Sequence, residues 1–220
     1  MFGTAVEDYL KAIYDLSHTR ERVALSAVAE RRGVSLPAAT KMVRRLGELK
    51  LVLYERRGGV ELTGGGRKVA LEMIRHHRLI ELYLKEALGY SWDLVDEEAD
   101  RLEHVISEEF EDRIDALLGY PTRDPHGAPI PTKDGEIDLT QHPALAELEL
   151  GRPARVARVH DHDPEMLRYL GELGLYPDAR VELIAKEPFG GPLRLRIDGQ
   201  ERMVGEELAR HVFISRLEAR

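Results

Sequence analysis

Residues 26–62 read SAVAERRGVSLPAATKMVRRLGELKLVLYERRGGVEL, and this stretch decides the fold of the N-terminal part of the chain. Ser26 is the expected N-cap of a short helix that ends at Gly33, and Ser35 is the expected N-cap of a second helix. The segment then alternates between apolar and polar residues around an Arg-Gly-Gly turn, which is typical of a β-hairpin. Two helices, a short glycine turn between them and a basic hairpin predict a winged helix-turn-helix.

The second of these helices and the hairpin carry the side chains that would contact DNA. Hydroxyl and basic groups near the start of a recognition helix can reach base edges or phosphates, and arginines at the tip of a wing meet phosphates. The candidate DNA-binding residues are Ser35, Pro37, Thr40, Lys41, Arg44, Arg56 and Arg57. The alternative is a protein-binding winged helix whose basic side chains are only solvated.

The net charge of −8 is distributed unevenly along the 220 residues. Residues 1–75 contain 14 Lys and Arg against 9 Asp and Glu, residues 76–144 contain 6 against 17, and residues 145–220 contain 12 against 14. A basic N-terminal third followed by an acidic middle indicates a polyanion-binding module joined to a segment that handles cations. Chance segregation of charge between solvated surfaces is the alternative.

Composition also excludes several classes of protein. The chain has no cysteine, which excludes disulfides, thiolate metal sites and cysteine nucleophiles. Glu7 and Asp8 stand where a signal peptide would carry basic residues, and no apolar run approaches the roughly 18–20 residues that cross a bilayer. We therefore expect a cytoplasmic protein that is neither exported nor inserted in a membrane.

The acidic middle contains a triplet of metal-ligand residues. If the surrounding segment is helical, the i, i+3 and i+4 spacing of Asp100, Glu103 and His104 brings two carboxylates and an imidazole to one helical face. Such a group indicates a divalent cation, because its members otherwise repel one another or lose hydration without compensation. Asp96 lies one turn earlier on the same face, and His77 and Glu81 form another i, i+4 pair on the preceding predicted helix. The alternative is a solvated acidic face with salt-bridged histidines.

The ligand types narrow the choice of ion. Carboxylate oxygens and imidazole nitrogens, without thiolate or thioether, suit Mn²⁺, with Fe²⁺ as a close competitor. Zn²⁺ and Co²⁺ would also bind such ligands in vitro, so affinity alone does not identify the ion.

The predicted organisation is an α+β chain of three domains: a winged helix-turn-helix in residues 1–65, a helical domain in 66–144 and a small β-barrel in 145–220. The helices of the middle domain are predicted at 68–88, 94–107 and 108–118. Residues 119–144 hold five of the eleven prolines and are interpreted as a linker. The last domain shows four or five short β-like runs and a helix at 164–173.

The whole chain resembles the diphtheria-toxin-repressor family of metal-dependent bacterial transcription regulators. The motifs that carry the resemblance are VEDYLKAIYDL, SLPAATKMVRRLGELKLV, RHHRLIELYL, DEEADRLEHVISEE, PHGAPIP and LRYLGELGLYPDARVEL. The resemblance implies a winged helix, a helical dimerisation and metal-binding domain, and a C-terminal domain similar to SH3 domains and to ferrous-transport protein A.

The resemblance also implies two metal sites. The primary site falls on Asp8, Asp100, Glu103 and His104, and the ancillary site falls on His77, Glu81, Asp96 and Asp163. Asp8 and Asp100 stand where the iron-sensing branch has methionine and cysteine, so the chain is similar to the manganese-sensing branch there. Lys11 replaces a glutamate of that branch, and the three-domain length is that of the iron branch. For Asp163 the alternative is an N-cap of the helix at 164–173.

The sequence thus predicts a homodimeric repressor that Mn²⁺ or Fe²⁺ activates to bind a palindromic operator of metal-homeostasis genes. Apolar residues recur at helical spacing in residues 4–17, which predicts an N-terminal helix that carries Asp8. Without metal, the carboxylates of Asp8, Asp100 and Glu103 are expected to repel one another and release this helix. Neither a membrane nor a small organic substrate is expected as a partner. The alternatives are a small metal-dependent hydrolase, for which no HExxH motif is present, and a metal-buffering protein.

Overall fold

The N-terminal residues form the winged helix-turn-helix that the sequence predicted. In this computed structural model, which describes residues 2–17, 22–161 and 163–217, its elements are α1 (Thr4–Leu16), α2 (Leu25–Arg31), α3 (Leu36–Glu48), β1 (Val52–Glu55) and β2 (Gly59–Leu62). Its apolar interior includes Leu10 and Ile13 of α1 and Val43 and Leu46 of α3, all of which are fully buried. The strands β1 and β2 pair antiparallel as the wing.

Capping rules placed one of the two helices of the helix-turn-helix correctly. The Ser35 hydroxyl accepts a hydrogen bond from the Ala38 amide, so the predicted N-cap of α3 is confirmed. The predicted N-cap at Ser26 is wrong, because α2 already begins at Leu25. Val23 exchanges two backbone hydrogen bonds of 2.8 Å with Val60, and this pairing fixes the chain immediately before the helix.

The next helix, α4 (Gly64–Leu88), includes the three glycines that the sequence analysis placed outside it. The Gly66 amide donates to the Thr63 hydroxyl, which satisfies a donor at the start of the helix. A Cβ atom on Gly66 would lie 1.9 Å from the Leu51 carbonyl oxygen, so the close passage of the two backbones requires glycine there.

Two shorter helices follow, α5 (Val95–Leu102) and α6 (Glu108–Leu117). The predicted helix at 94–107 is therefore wrong in its last turn, and Glu103 and His104 lie in a turn outside it. The backbone carbonyl oxygen of Glu103 lies 3.1 Å from His76 Nδ1, so its partner is a side chain and not a helical amide. Among the described residues, 119–144 contain no helix and no strand, only isolated bridges.

The C-terminal part is a five-stranded antiparallel sheet with the order β6-β5-β4-β3-β7. Its elements are a 3₁₀ turn at Leu145–Glu147, β3 (Pro153–Val159), α7 (Pro164–Leu173), β4 (Arg180–Lys186), β5 (Leu193–Ile197), β6 (Gln200–Val204), α8 (Glu206–Ala209) and β7 (Val212–Arg216). The predicted helix at 164–173 and four of the strands are confirmed. No strand was predicted at β6, because its sequence QERMV lacks a two-residue alternation of apolar and polar residues.

The chain divides into two compact units. The first comprises Met1–His76, Glu103–Val105 and Pro131–Glu136, and the second comprises His77–Leu102, Ile106–Ile130 and Ile137–Arg220. Within the residues that the structure describes, none of the helices combines the length and apolar character needed to span a bilayer.

Candidate metal centre

The first unit brings Asp8, Glu103 and His104 together, and we call these three residues the Asp8 cluster. His104 Nε2 lies 3.0 Å from Asp8 Oδ1 and 3.4 Å from Glu103 Oε1. The Glu103 side chain is 1% exposed, the His104 side chain 9% and the Asp8 side chain 20%. One oxygen of each carboxylate and one ring nitrogen thus converge on a point, as ligands of a single cation do.

Glu7 orients the imidazole of this cluster. Its Oε2 lies 2.8 Å from His104 Nδ1, and both side chains are buried. With the Nδ1 hydrogen donated to this carboxylate, the lone pair of Nε2 faces Asp8 and Glu103, which is the tautomer that binds a metal. Sequence reasoning missed Glu7, although its position next to Asp8 on α1 was the available signal.

Two cations hold the outer oxygens of the same carboxylates. Lys11 Nζ lies 2.8 Å from Glu103 Oε2, and Arg32 Nη2 lies 2.5 Å from Asp8 Oδ2. The repulsion expected between the carboxylates of Asp8 and Glu103 in the metal-free protein is therefore weakened, since each carries its own counter-charge. The sequence showed the acidic residues but not which basic side chains the fold places beside them.

The second unit groups the other predicted ligands around His77. Its Nε2 lies 3.2 Å from Asp96 Oδ1 and 3.6 Å from Glu81 Oε1, whereas its Nδ1 lies 3.3 Å from Asp100 Oδ1. Asp100 is thus a neighbour of His77, in a different unit from Asp8, and its side chain is 60% exposed. The helical-face argument for Asp100, Glu103 and His104 does not apply, because α5 ends at Leu102.

A third group, Glu81, Asp124 and His126, is buried and contains several polar atoms that lack a hydrogen-bond partner. His126 Nδ1 lies 3.5 Å from Glu81 Oε1, and His126 Nε2 lies 2.8 Å from the Trp92 carbonyl oxygen. Among the described residues, both carboxylate oxygens of Glu81, Oδ2 of Asp124 and Nδ1 of His126 have no hydrogen-bond partner. Buried acceptors are normally satisfied, so four unsatisfied atoms in one place fit a bound cation.

Burial changes the pKa of a carboxyl group in this third group. Desolvation, reinforced by the negative charge of Glu81, raises the pKa of Asp124 to about 6 in spite of Arg78, whose Nε lies 3.6 Å from Asp124 Oδ2. The other oxygen of Asp124 accepts hydrogen bonds from the amides of His126 and Ala128 and shapes the loop. A divalent cation would add positive charge beside that of Arg78 and offset the cost of burying two carboxylates.

Asp124 and His126 were missed because they lie in the proline-rich segment that was interpreted as a linker. Gly127 shows that this segment is closely packed: its φ is +88°, and a Cβ atom there would lie 2.2 Å from the Ala157 carbonyl oxygen. The signal in the sequence was the segment Asp124-Pro125-His126, in which an acid directly precedes the PHGAPIP motif and a histidine lies within it.

Asp163 has a defined structural role. Its Oδ1 accepts hydrogen bonds from the amides of Glu165 and Met166, which makes it the N-cap of α7. It belongs to none of the three groups above in the part of the chain that the structure describes. Its assignment as a metal ligand stays a prediction.

The predicted DNA-binding side chains lie on α3 and the wing and are mostly exposed. Ser35 caps α3, and the Thr40 hydroxyl donates to the Leu36 carbonyl oxygen at 2.7 Å, so Thr40 keeps only acceptor capacity for DNA. Over the described residues, no ion pair engages the basic members of the set, which are Lys41, Arg44, Arg56 and Arg57. Unpaired basic side chains on a recognition helix and wing suit contact with phosphates.

A winged helix-turn-helix in the same chain as buried carboxylate and imidazole groups defines a metal-responsive DNA-binding protein. Comparison with known proteins agrees. Residues 1–60 match the family described as "Iron dependent repressor, N-terminal DNA binding domain", residues 63–132 match "Iron dependent repressor, metal binding and dimerisation domain", and residues 144–216 match "FeoA domain".

Individual relatives cover nearly the whole chain. The iron-dependent repressor IdeR of Mycobacterium tuberculosis is 33% identical over 227 residues, with 96% of both chains covered. A solved structure of a manganese-dependent transcriptional repressor in complex with manganese is 40% identical, with a TM-score of 0.89 over 96% of this chain and 100% of the other. A structure of ScaR with bound Zn²⁺ is 34% identical, with a TM-score of 0.78 over 96% and 99%. The chain belongs to the diphtheria-toxin-repressor family of metal-dependent transcriptional repressors.

Proposed function

We propose that the chain is a homodimeric repressor that Mn²⁺ activates, with Fe²⁺ as the close alternative, to bind a palindromic operator of metal-homeostasis genes. One observation carries the proposal. Asp8 lies on α1 of the DNA-binding domain, whereas Glu103 and His104 lie in residues 63–132, which match the metal-binding and dimerisation domain. A cation that binds all three residues therefore ties the DNA-binding domain to the segment that forms the dimer.

Two groups of residues would hold the metal. Asp8, Glu103 and His104 offer two carboxylates and an imidazole, and Glu81, Asp124 and His126 offer the same set in a buried environment. His77 and Asp96 lie beside Glu81 and are candidates for additional ligands. All of these donors are oxygen or imidazole nitrogen, which supports Mn²⁺ or Fe²⁺ over Cu(I). The metal, when bound, supplies the positive charge that compensates the buried carboxylates.

The ligand acts by binding one arrangement of the domains more tightly than the others. In that arrangement of the dimer, two α3 helices enter successive major grooves about one helical turn apart. The family relatives are named as repressors, and we propose that the chain likewise has no enzymatic activity. A chromosomal regulator acts in the cytoplasm of a bacterium, where we place it.

Selection of DNA tests this proposal without knowledge of the operator. The full-length protein is incubated with a pool of randomised duplexes, once with Mn²⁺ and once with a chelator. We expect enrichment of an inverted repeat in the Mn²⁺ arm alone. Equal enrichment in the two arms, or none in either, would contradict the proposal, and turnover of phosphoester or peptide substrates in the Mn²⁺ arm would support the hydrolase alternative.

Lys41→Ala and Arg57→Ala should weaken DNA binding in different ways. Lys41 on α3 is placed to read a base, so its loss should cost about 1–3 kcal/mol at one operator position and relax sequence preference there. Arg57, between β1 and β2, should contact phosphate, so its loss should weaken binding to every duplex and reduce the salt dependence. Fluorescence anisotropy on the selected duplex and a scrambled one measures both effects. Identical behaviour of the two variants would refute the assignment.

Trp92 fluorescence should report occupancy of the buried group. Trp92 is the only tryptophan of the chain, and its ring centre lies 5.6 Å from that of His126. Binding of paramagnetic Mn²⁺ by Glu81, Asp124 and His126 should therefore quench its emission. His126→Gln should lose the quenching, and Asp8→Asn should retain it. Quenching that survives His126→Gln would mean that this group does not bind the ion.

A further inference from the structure

Arg32, the residue that follows α2, forms an ion pair with a candidate metal ligand. Its Nη2 lies 2.5 Å from Asp8 Oδ2, and its guanidinium carbon lies 5.8 Å from the centre of the Tyr9 ring. Gly33, the next residue, has a φ of +61° and begins the turn that leads into the recognition helix α3. The ion pair therefore connects the Asp8 cluster directly to the turn of the helix-turn-helix.

The two oxygens of Asp8 serve different partners. Oδ1 faces His104 Nε2 at 3.0 Å, whereas Oδ2 accepts the hydrogen bond from Arg32. Glu103 is divided in the same way, with Oε1 toward His104 and Oε2 bonded to Lys11. The inner oxygens are thus available to a cation while the outer oxygens remain bonded to basic side chains.

We propose that Arg32 is a positioning residue that couples metal occupancy to the helix-turn-helix through Asp8. This inference rests on the proposed function and adds the contacts through which metal binding would affect the helix-turn-helix. Because like charges repel, Arg32 lowers the affinity of the Asp8 cluster for a divalent cation. Binding linkage requires the reciprocal effect, so a bound cation weakens the hold of Arg32 on Asp8 and alters the constraint on the turn before α3.

A neighbouring ion pair provides a second connection between α2 and α1. Arg31 Nη2 lies 3.6 Å from Asp15 Oδ2 and also connects α2 to α1. The Arg31 side chain is 38% exposed and that of Arg32 33%, but the partner of Arg31 is not a member of the Asp8 cluster. Arg31 is therefore a matched control for a purely structural contribution.

The test compares four variants of the full-length protein: Arg32→Gln, Arg32→Lys, Arg31→Gln and Lys11→Gln. Mn²⁺ affinity is measured by calorimetry, and affinity for the selected duplex is measured by anisotropy with Mn²⁺ and with chelator. The coupling is defined as the DNA affinity measured with Mn²⁺ divided by the DNA affinity measured with chelator. Lys11→Gln removes a positive charge from the same cluster without touching α2, so it separates the effect of charge from the effect of the connection.

We expect Arg32→Gln and Lys11→Gln both to bind Mn²⁺ several-fold more tightly, because each loses a repelling charge. Only Arg32→Gln should lose coupling, by about fivefold or more, given that allosteric couplings are typically about 5–150-fold. Arg32→Lys, which keeps the charge, should retain it. If Arg32 only contacted a DNA phosphate, Arg32→Gln would instead weaken DNA binding equally with and without Mn²⁺.

Two results would overturn the inference alone: a parent coupling that Arg32→Gln leaves unchanged, or an equal loss of coupling in Arg31→Gln. A parent protein whose DNA affinity does not respond to Mn²⁺ would overturn the proposed function, and the inference with it. Arg32→Lys is the control for misfolding. If this variant is folded and retains coupling, then the positive charge at position 32 is the property on which coupling depends.

Discussion

Asp124→Asn should stabilise the metal-free protein, although it removes a proposed metal ligand. Burial and the charge of Glu81 raise the pKa of Asp124 from 3.8 to about 6, so its ionised form costs folding free energy at neutral pH. The neutral amide avoids most of this cost, on the order of 2–3 kcal/mol at pH 7. Asparagine retains an oxygen for the amides of His126 and Ala128. Urea unfolding in the presence of a chelator measures the gain.

The sign of the pH dependence makes this prediction specific. A carboxyl group whose pKa is higher in the folded than in the unfolded state favours folding at low pH, and this contribution is lost as the pH rises from 3.8 through about 6. The stability advantage of Asp124→Asn should therefore grow across this interval, and Mn²⁺ should stabilise the parent more than the variant. Asp134→Asn, at an exposed aspartate of the same segment, is the control and should change little. A variant less stable than the parent at pH 7 would contradict the assignment.

His104→Ala should abolish metal-dependent DNA binding. His104 Nε2 is the atom on which Asp8 Oδ1 and Glu103 Oε1 converge, so its removal takes away the central donor of the cluster. Loss of a group that only orients a metal ligand costs about 10–100-fold in metal affinity, and loss of the ligand itself should exceed that range. Glu7→Gln, which disturbs only the orientation of the ring, should fall within it. Calorimetry with Mn²⁺ ranks the two variants.

His211→Ala is the matched control for this series, because His211 lies on the sheet domain outside the three ligand groups. We expect its Mn²⁺ affinity to equal that of the parent. If His104→Ala retains metal-dependent DNA binding, or if Glu7→Gln is the more severe of the two, then His104 is not a ligand in the role proposed.

Sequence patterns predicted those elements of the fold whose formation depends on local interactions. The helix–turn–helix–hairpin order, the Ser35 cap and the helix at 164–173 follow from apolar periodicity and capping, and all are present. The failures lie where tertiary contacts decide. Val23 pairs with Val60 directly before α2, and Gly66, which the sequence placed before α4, lies within that helix where it passes the Leu51 carbonyl oxygen.

The candidate site shows the same division. Spacing suggested Glu103 and His104, but their helix ends before them, and their convergence with Asp8 depends on the fold instead. Asp124 and His126 come together with Glu81 from a loop that has no periodicity, so no pattern of spacing could have placed them there. The charges of Lys11 and Arg32 were visible in the sequence, but which carboxylate each would neutralise was not.

The most direct test of the central claim is the affinity of the parent protein for its selected duplex, measured by fluorescence anisotropy as free Mn²⁺ is raised from chelated to saturating levels. The account predicts that affinity rises with Mn²⁺ by about 5–150-fold, the usual range of allosteric coupling, and that binding to a scrambled duplex changes far less. The same affinity for the selected duplex in chelator and in saturating Mn²⁺ would contradict it.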